Sequence, residues 1–177
     1  MGYPKALLTY RGETFLDTLT ELFAAHCQPV IVVLGAEAER IRAQASRPAH
    51  FVFNPDYKRG QTTSMQCGLR AAPPGAEGVL FTLVDHPAVA RETIEALLAS
   101  PRPVVRAPRH NGQRGHPIWF SRSLIPEFLA LPEDGAARDV VRRYAENTEF
   151  LDVDDPGILA DIDDLEAYRS LTGGPIR

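Results

Sequence analysis

Acidic side chains at two places in the chain have the types and spacing for metal-assisted chemistry. Asp85 closes the apolar run Gly78-Val79-Leu80-Phe81-Thr82-Leu83-Val84-Asp85, and His86-Pro87 then turns the chain away. Open α/β sheets bind ligands at the carboxyl ends of their strands. A carboxylate there emerges into the crevice and can hold a divalent cation. It can equally cap the helix that begins near Val89. Farther on, Asp161 and Asp163 flank Ile162. Residues two apart in an extended segment project to one side, so this pair can aim two carboxylates at one cation. Oxygen ligands of this kind suit Mg2+. The alternative is N-capping of a last helix, beginning about Asp164, by Asp163 or Asp164, and the two uses are compatible.

Cationic and polar stretches supply candidate anion sites. Gly2, Pro4, Lys5, Arg11 and Gly12 give the start of the chain a turn-rich, phosphate-binding character. Lys58, Arg59 and Gly60 lead into a helix opened by Thr63 or Ser64. A basic loop feeding a helix N-terminus attracts anions, because free N–H groups and the positive end of the dipole face outward. An ordinary surface loop with an ordinary N-cap is the plain alternative. The segment "RHNGQRGHPIWF" is polar and twice basic, and Arg114, His116 and Trp119 in it could meet a ligand. No Ser-His-Asp or Cys-His arrangement stands out.

Composition narrows the classes. The 177 residues carry a formal net charge of −4, which argues against a basic face for nucleic acid. No apolar run approaches the ~18 residues of a membrane span, and no secretory leader is evident. Cys27 and Cys67 have no metal spacing. They are expected as reduced thiols in a cytoplasmic protein.

The elements that must position these residues alternate. Strand-like apolar runs occur at 29–35, 50–55 and 78–85, with a weaker one at 103–106. Runs apolar on both faces predict strands buried on both sides, as in parallel sheets. Amphipathic helices are predicted between them: one carrying Phe15, Leu16, Leu19, Leu22 and Phe23 with Thr14 as N-cap, then 37–45, 64–72 and 91–99. The alternation predicts an α/β domain with a mostly parallel sheet. Beyond residue 106 the order changes to a polar loop, a short strand near 117–120, helices at 124–130 and 135–144, and a strand near 149–153. One domain is expected over 1–172, with 173–177 as a frayed tail.

Taken in order, "MGYPKALL", "GETFLD", "GQTTSMQCGL", "FTLVDHPAV", "GQRGHPIWF", "DGAARDVV" and "DDPGILADIDDLEAY" resemble the MobA-like nucleotidyltransferases that build molybdenum cofactor dinucleotides. The resemblance is nearest to the molybdenum cofactor cytidylyltransferases and covers essentially the whole chain. It implies a Rossmann-like α/β/α fold of the glycosyltransferase-A type. The implied activity is Mg2+-dependent transfer of a nucleoside monophosphate, CMP favoured, from a nucleoside triphosphate to molybdopterin, with release of pyrophosphate. Lys5 then resembles the lysine that neutralises the triphosphate, and Gly2, Gly60 and Ser64 fall in nucleotide-binding segments. Asp85 resembles the metal-holding catalytic aspartate, with Asp161 and Asp163 at the second acidic position. Arg114, Gly115 and His116 would face the pterin-type acceptor. A molybdoenzyme or its chaperone would be a further partner.

Three departures accompany the resemblance. Family members begin with a strand and a Gly-rich loop, "LAAGxSxRMG", ahead of the position of Lys5. That strand would lie centrally, between the strands at 30–34 and 79–84, and is expected to be missing here. The metal strand, ending "GDQP" in the family, reads Val84-Asp85-His86-Pro87. Gln66 stands at an arginine-like position. Other readings are therefore a transferase for another phosphorylated acceptor, such as a sugar phosphate, or a non-catalytic binding or chaperone module.

Overall fold

The computed structural model describes residues 3–132 and 134–173. Gly2 and most of the tail expected to fray lie outside the described residues. A 3-10 turn at Lys5–Leu7 buries Leu7 and leads into the hairpin β1 (Thr9–Tyr10) and β2 (Glu13–Thr14). Arg11 and Gly12 form its two-residue turn, both with positive φ, at 52° and 92°. That conformation matches the twist of paired strands and suits glycine. Helix α1 (Phe15–Ala24) follows, with Thr14 Oγ1 accepting from the Asp17 amide as the sequence predicts. Its apolar face of Phe15, Leu16, Leu19 and Phe23 is buried.

Strand β3 (Ile31–Leu34), helix α2 (Ala38–Gln44) and strand β4 (His50–Phe53) form a parallel β-α-β unit. Helix α3 (Gln61–Arg70) comes next, then β5 (Gly78–Phe81), α4 (Arg91–Leu98), β6 (Val105–His110), β7 (Gln113–Arg114) and β8 (Ile118–Ser121). Helices α5 (Ile125–Leu129) and α6 (Ala137–Arg143), strand β9 (Thr148–Asp152) and helix α7 (Leu165–Thr172) complete the order. The result is an α/β fold with a mixed sheet. β3/β4 and β6/β9 are parallel, while β8 enters antiparallel between β5 and β6. A large part of the core joins α3 to this sheet and to α5 and α6, through Met65, Leu69, Val105, Phe120, Phe128 and Val140.

Two expected boundaries move. The run 78–85 is hydrogen bonded as a strand only to Phe81. Phe81 lies opposite Ile118, the first residue of β8, so Thr82–Asp85 have no ladder partner on that side. Helix α3 opens at Gln61 rather than at Thr63 or Ser64, because Gly60, at φ 118°, serves as N-cap. The Thr63 hydroxyl instead donates to the Gly60 and Asp56 carbonyls.

Among the described residues, β3 pairs only with β4, and β5 only with β8. Between β3 and β5 lies a cavity of about 870 Å3, lined by the apolar side chains of both strands.

Candidate active site

Three distant segments converge at one end of that cavity. Pro4 caps the 3-10 turn that carries Lys5, and the buried Leu7 and Leu8 anchor it on either side of α1. The 82–85 segment brings Asp85. After a 3-10 turn at Pro156–Leu159, the chain runs back past Asp85 and the Ile162 amide donates to the Asp85 carbonyl over 3.0 Å. Ile162 is buried with Leu8, Phe15 and Tyr168. Its two acidic neighbours are thereby held beside Asp85. Asp164 then caps α7 by accepting from the amides of Glu166 and Ala167, so capping and site-building fall to different aspartates.

Lys5 Nζ lies 3.1 Å from Asp85 Oδ2 and also donates to Asp163. Burial alone would lower the Lys5 pKa, but the hydrogen bonds to Asp163 and Asp85 outweigh it and raise it above the usual 10.5. The same bond from Lys5 lowers Asp163. Asp161 is raised, by burial first and then by repulsion from Asp85 and Asp163. One ligand atom each from Asp85, His86 and Asp161 falls within 4.8 Å of the others. Asp85 Oδ1 is buried with no hydrogen-bond partner among the described residues. An orphaned carboxylate oxygen beside a second carboxylate fits a divalent cation, whose ligands are hard oxygens of this type.

The other predicted site residues separate. Lys5, Asp85 and Ser64 all line the cavity, with Gln61, next to Gly60, at its wall. The Ser64 hydroxyl accepts from Asn54 Nδ2 at 3.0 Å. His116 reaches the site, and its ring packs 4.7 Å from that of His86. Burial, helped by the neighbouring His86, pushes His116 down to about 4. Gly115 is pressed against Ile158, where a Cβ would sit 2.3 Å from the carbonyl oxygen. Arg114 is exposed, with its guanidinium 4.3 Å over the Phe150 ring on β9. Trp119 is buried and donates to the Pro103 carbonyl. Gln66 is a core residue whose amide donates to the carbonyls of Phe128, Leu129 and Leu131, closing the end of α5.

Sequence reasoning passed over His86, treating it only as part of a turn. Its signal was the Asp-His pair at the end of a buried apolar run. Burial lowers the His86 pKa, opposed by the charges of Asp85, Asp161 and Asp163.

The family model for the MobA-like NTP transferase domain matches residues 1–148. The chain belongs to this family. Like other MobA-like transferases, it is a nucleotidyltransferase by class. Nicotine blue oxidoreductase of Paenarthrobacter nicotinovorans is 33% identical, over 95% of this chain and 88% of its own. Molybdenum cofactor cytidylyltransferase of Escherichia coli K12 is 26% identical, over 88% of this chain and 85% of its own. The crystal structure of Rv0371c from Mycobacterium tuberculosis is 29% identical, with a TM-score of 0.87 over 99% of this chain and 92% of that one. The same protein is also known as a manganese complex, 28% identical, with a TM-score of 0.82 over 97% of this chain and 92% of that one. Among the described residues of this MobA-like chain, no helix is long and apolar enough to cross a membrane, and both cysteines are free.

Proposed function

We propose that this chain transfers a nucleoside monophosphate, CMP favoured, from a nucleoside triphosphate to a molybdopterin-type acceptor and releases pyrophosphate. The observation that carries this reading is Lys5 Nζ seated between Asp85 and Asp163. A cation and several carboxylates brought together suit phosphoryl-type transfer, which asks for positioning and charge neutralisation, with no covalent nucleophile. Lys5 would move onto the triphosphate when it binds. Asp85 and Asp161, with Asp163 beside them, would hold Mg2+, which supplies charge neutralisation at the phosphates. The acceptor phosphate is already ionised at neutral pH and needs no general base. Gly60 and Ser64, at the start of α3, would line the nucleotide, and His116 with Gly115 would back the acceptor. Arg114 would join them only by swinging off Phe150. The setting proposed is the cytoplasm, with a molybdoenzyme or its chaperone as recipient of the product.

Pyrophosphate release tests this directly, with Mg2+, molybdopterin and either CTP or GTP. Release with CTP in excess over GTP is expected. Absence of release with both nucleotides overturns the reading, and release only with a sugar phosphate as acceptor moves it to another substrate.

The relative at 33% identity favours a second reading, an oxidoreductase acting on nicotine blue. A change in nicotine blue absorbance with a reductant, and no pyrophosphate release in the first assay, would establish that alternative.

A further inference from the structure

His86 is the polar group at the site that the proposed transfer leaves unused. The residue is 6% exposed. Its Nδ1 is buried without a hydrogen-bond partner among the described residues, and so is Asp85 Oδ1 beside it. A buried polar atom left unmet costs about 1–3 kcal/mol. Asp85 Oδ1 has electron pairs to give, and a cation bound beside it could also take a neutral imidazole nitrogen of His86 as a ligand. His86 Nε2 stands 3.9 Å from Asp85 Oδ1, too far for a hydrogen bond.

The spacing suits a cation. Metal–ligand bonds of about 2.0–2.2 Å put two ligands of one ion at most about 4.4 Å apart. The ligand atoms of Asp85, His86 and Asp161 already lie within 4.8 Å of each other. Adjacent ligands of one ion stand about 3–4 Å apart, so a bound cation would draw these side chains somewhat closer together. The imidazole is also held in place, because the His116 ring packs against it and the Phe81 ring meets His116 edge-on at 6.2 Å.

We propose that His86 is a protein ligand to the cation held by Asp85 and Asp161, and that its nitrogen tilts the site towards Mn2+ and later first-row ions over Mg2+. Imidazole suits first-row transition ions, whereas Mg2+ prefers an all-oxygen shell. The inference rests on reading Asp85 and Asp161 as metal ligands.

Mn2+ binding followed by pulsed electron paramagnetic resonance tests it, with calorimetry of Mn2+ and Mg2+ binding alongside. The unaltered protein should show 14N hyperfine coupling from a directly bound imidazole. That coupling should vanish in His86→Gln and persist in His116→Gln. His86→Gln should also weaken Mn2+ binding about tenfold or more while leaving Mg2+ binding nearly unchanged. Mn2+ bound through Asp85 without nitrogen coupling, or coupling that survives in His86→Gln, overturns the role of His86 alone. Failure of the unaltered protein to bind either ion overturns the metal reading as a whole. The coupling in the unaltered protein is informative whether or not the variant folds.

Discussion

The Ile162 amide donates to the carbonyl oxygen of Asp85 over 3.0 Å. This bond joins the end of the β5 run to the acidic segment near the C-terminus. Both of its groups belong to the backbone, so the geometry survives changes to the carboxylate. Asp163, next to Ile162, then meets Lys5 from the opposite end of the chain.

Asp85→Asn should therefore abolish most turnover without unfolding the protein. Pyrophosphate release is expected to fall at least about a hundredfold, which is about 2.7 kcal/mol of transition-state stabilisation. The melting temperature should stay within a few degrees of the parent. Undiminished turnover would remove Asp85 from the metal site.

Lys5→Met keeps the length and apolar stem of the side chain and removes its charge. It should lower pyrophosphate release by about a hundredfold, the cost of losing one charge-stabilising donor. The variant should also leave Asp163 without the hydrogen bond that lowers its pKa. A 13C titration of the aspartate carboxyls would then show Asp163 moving up, and no movement would contradict the Lys5–Asp163 pairing.

Gly115→Ala should destabilise the fold by about 1–3 kcal/mol, because the new methyl has no room against the Ile158 carbonyl. The shift would also disturb the bond from the His116 amide to that same carbonyl, 3.0 Å long. Gly75→Ala is the control, since nothing lies within 4 Å of its added Cβ. Urea midpoints compare the two, and equal midpoints would refute the packing argument.

Asp17 predicts an acid-side dependence of stability. Burial would raise its pKa, but hydrogen bonds from Ser46, Thr14 and Arg47 outweigh burial and hold it below 3.8. A carboxyl depressed in the folded state contributes stability that is present above its unfolded pKa and lost as pH falls through its folded one. The stability gap between the parent and Asp17→Asn should thus be widest near neutral pH and shrink below about 4. Urea unfolding at several pH values measures it, and a gap independent of pH would be the contrary outcome.

Much of this architecture was legible locally. The runs 29–35 and 50–55 contain β3 and β4, since a continuous apolar run of that length has few other folded uses. Thr14 caps α1 as read, because a short side-chain oxygen ahead of an amphipathic run meets the first free amides, whereas the α7 cap was open between Asp163 and Asp164 until the structure gave it to Asp164. Non-local pairing was less legible. The 78–85 run reads as one strand, yet β8 begins opposite Phe81, so the last four residues of the run have no ladder partner on that side. Gln66 stands at an arginine-like position of the resemblance, and only the proximity of α5 shows that its amide serves the core. Arg114 and His116, two residues apart in one loop, go to different surroundings.

By itself the sequence determined the alternation of the main strands and helices, the Thr14 cap, and Lys5, Asp85, Asp161 and Asp163 as chemically able side chains. These follow from periodicity and local hydrogen bonding, which neighbours in the chain decide. Only the tertiary structure decided that Lys5, Asp85, His86, Asp161 and Asp163 meet. Their meeting depends on the burial of Leu8 with Ile162 and on one backbone bond between remote segments. Contacts of that kind arise from closing long loops onto a shared core, and no local pattern specifies which segments will close.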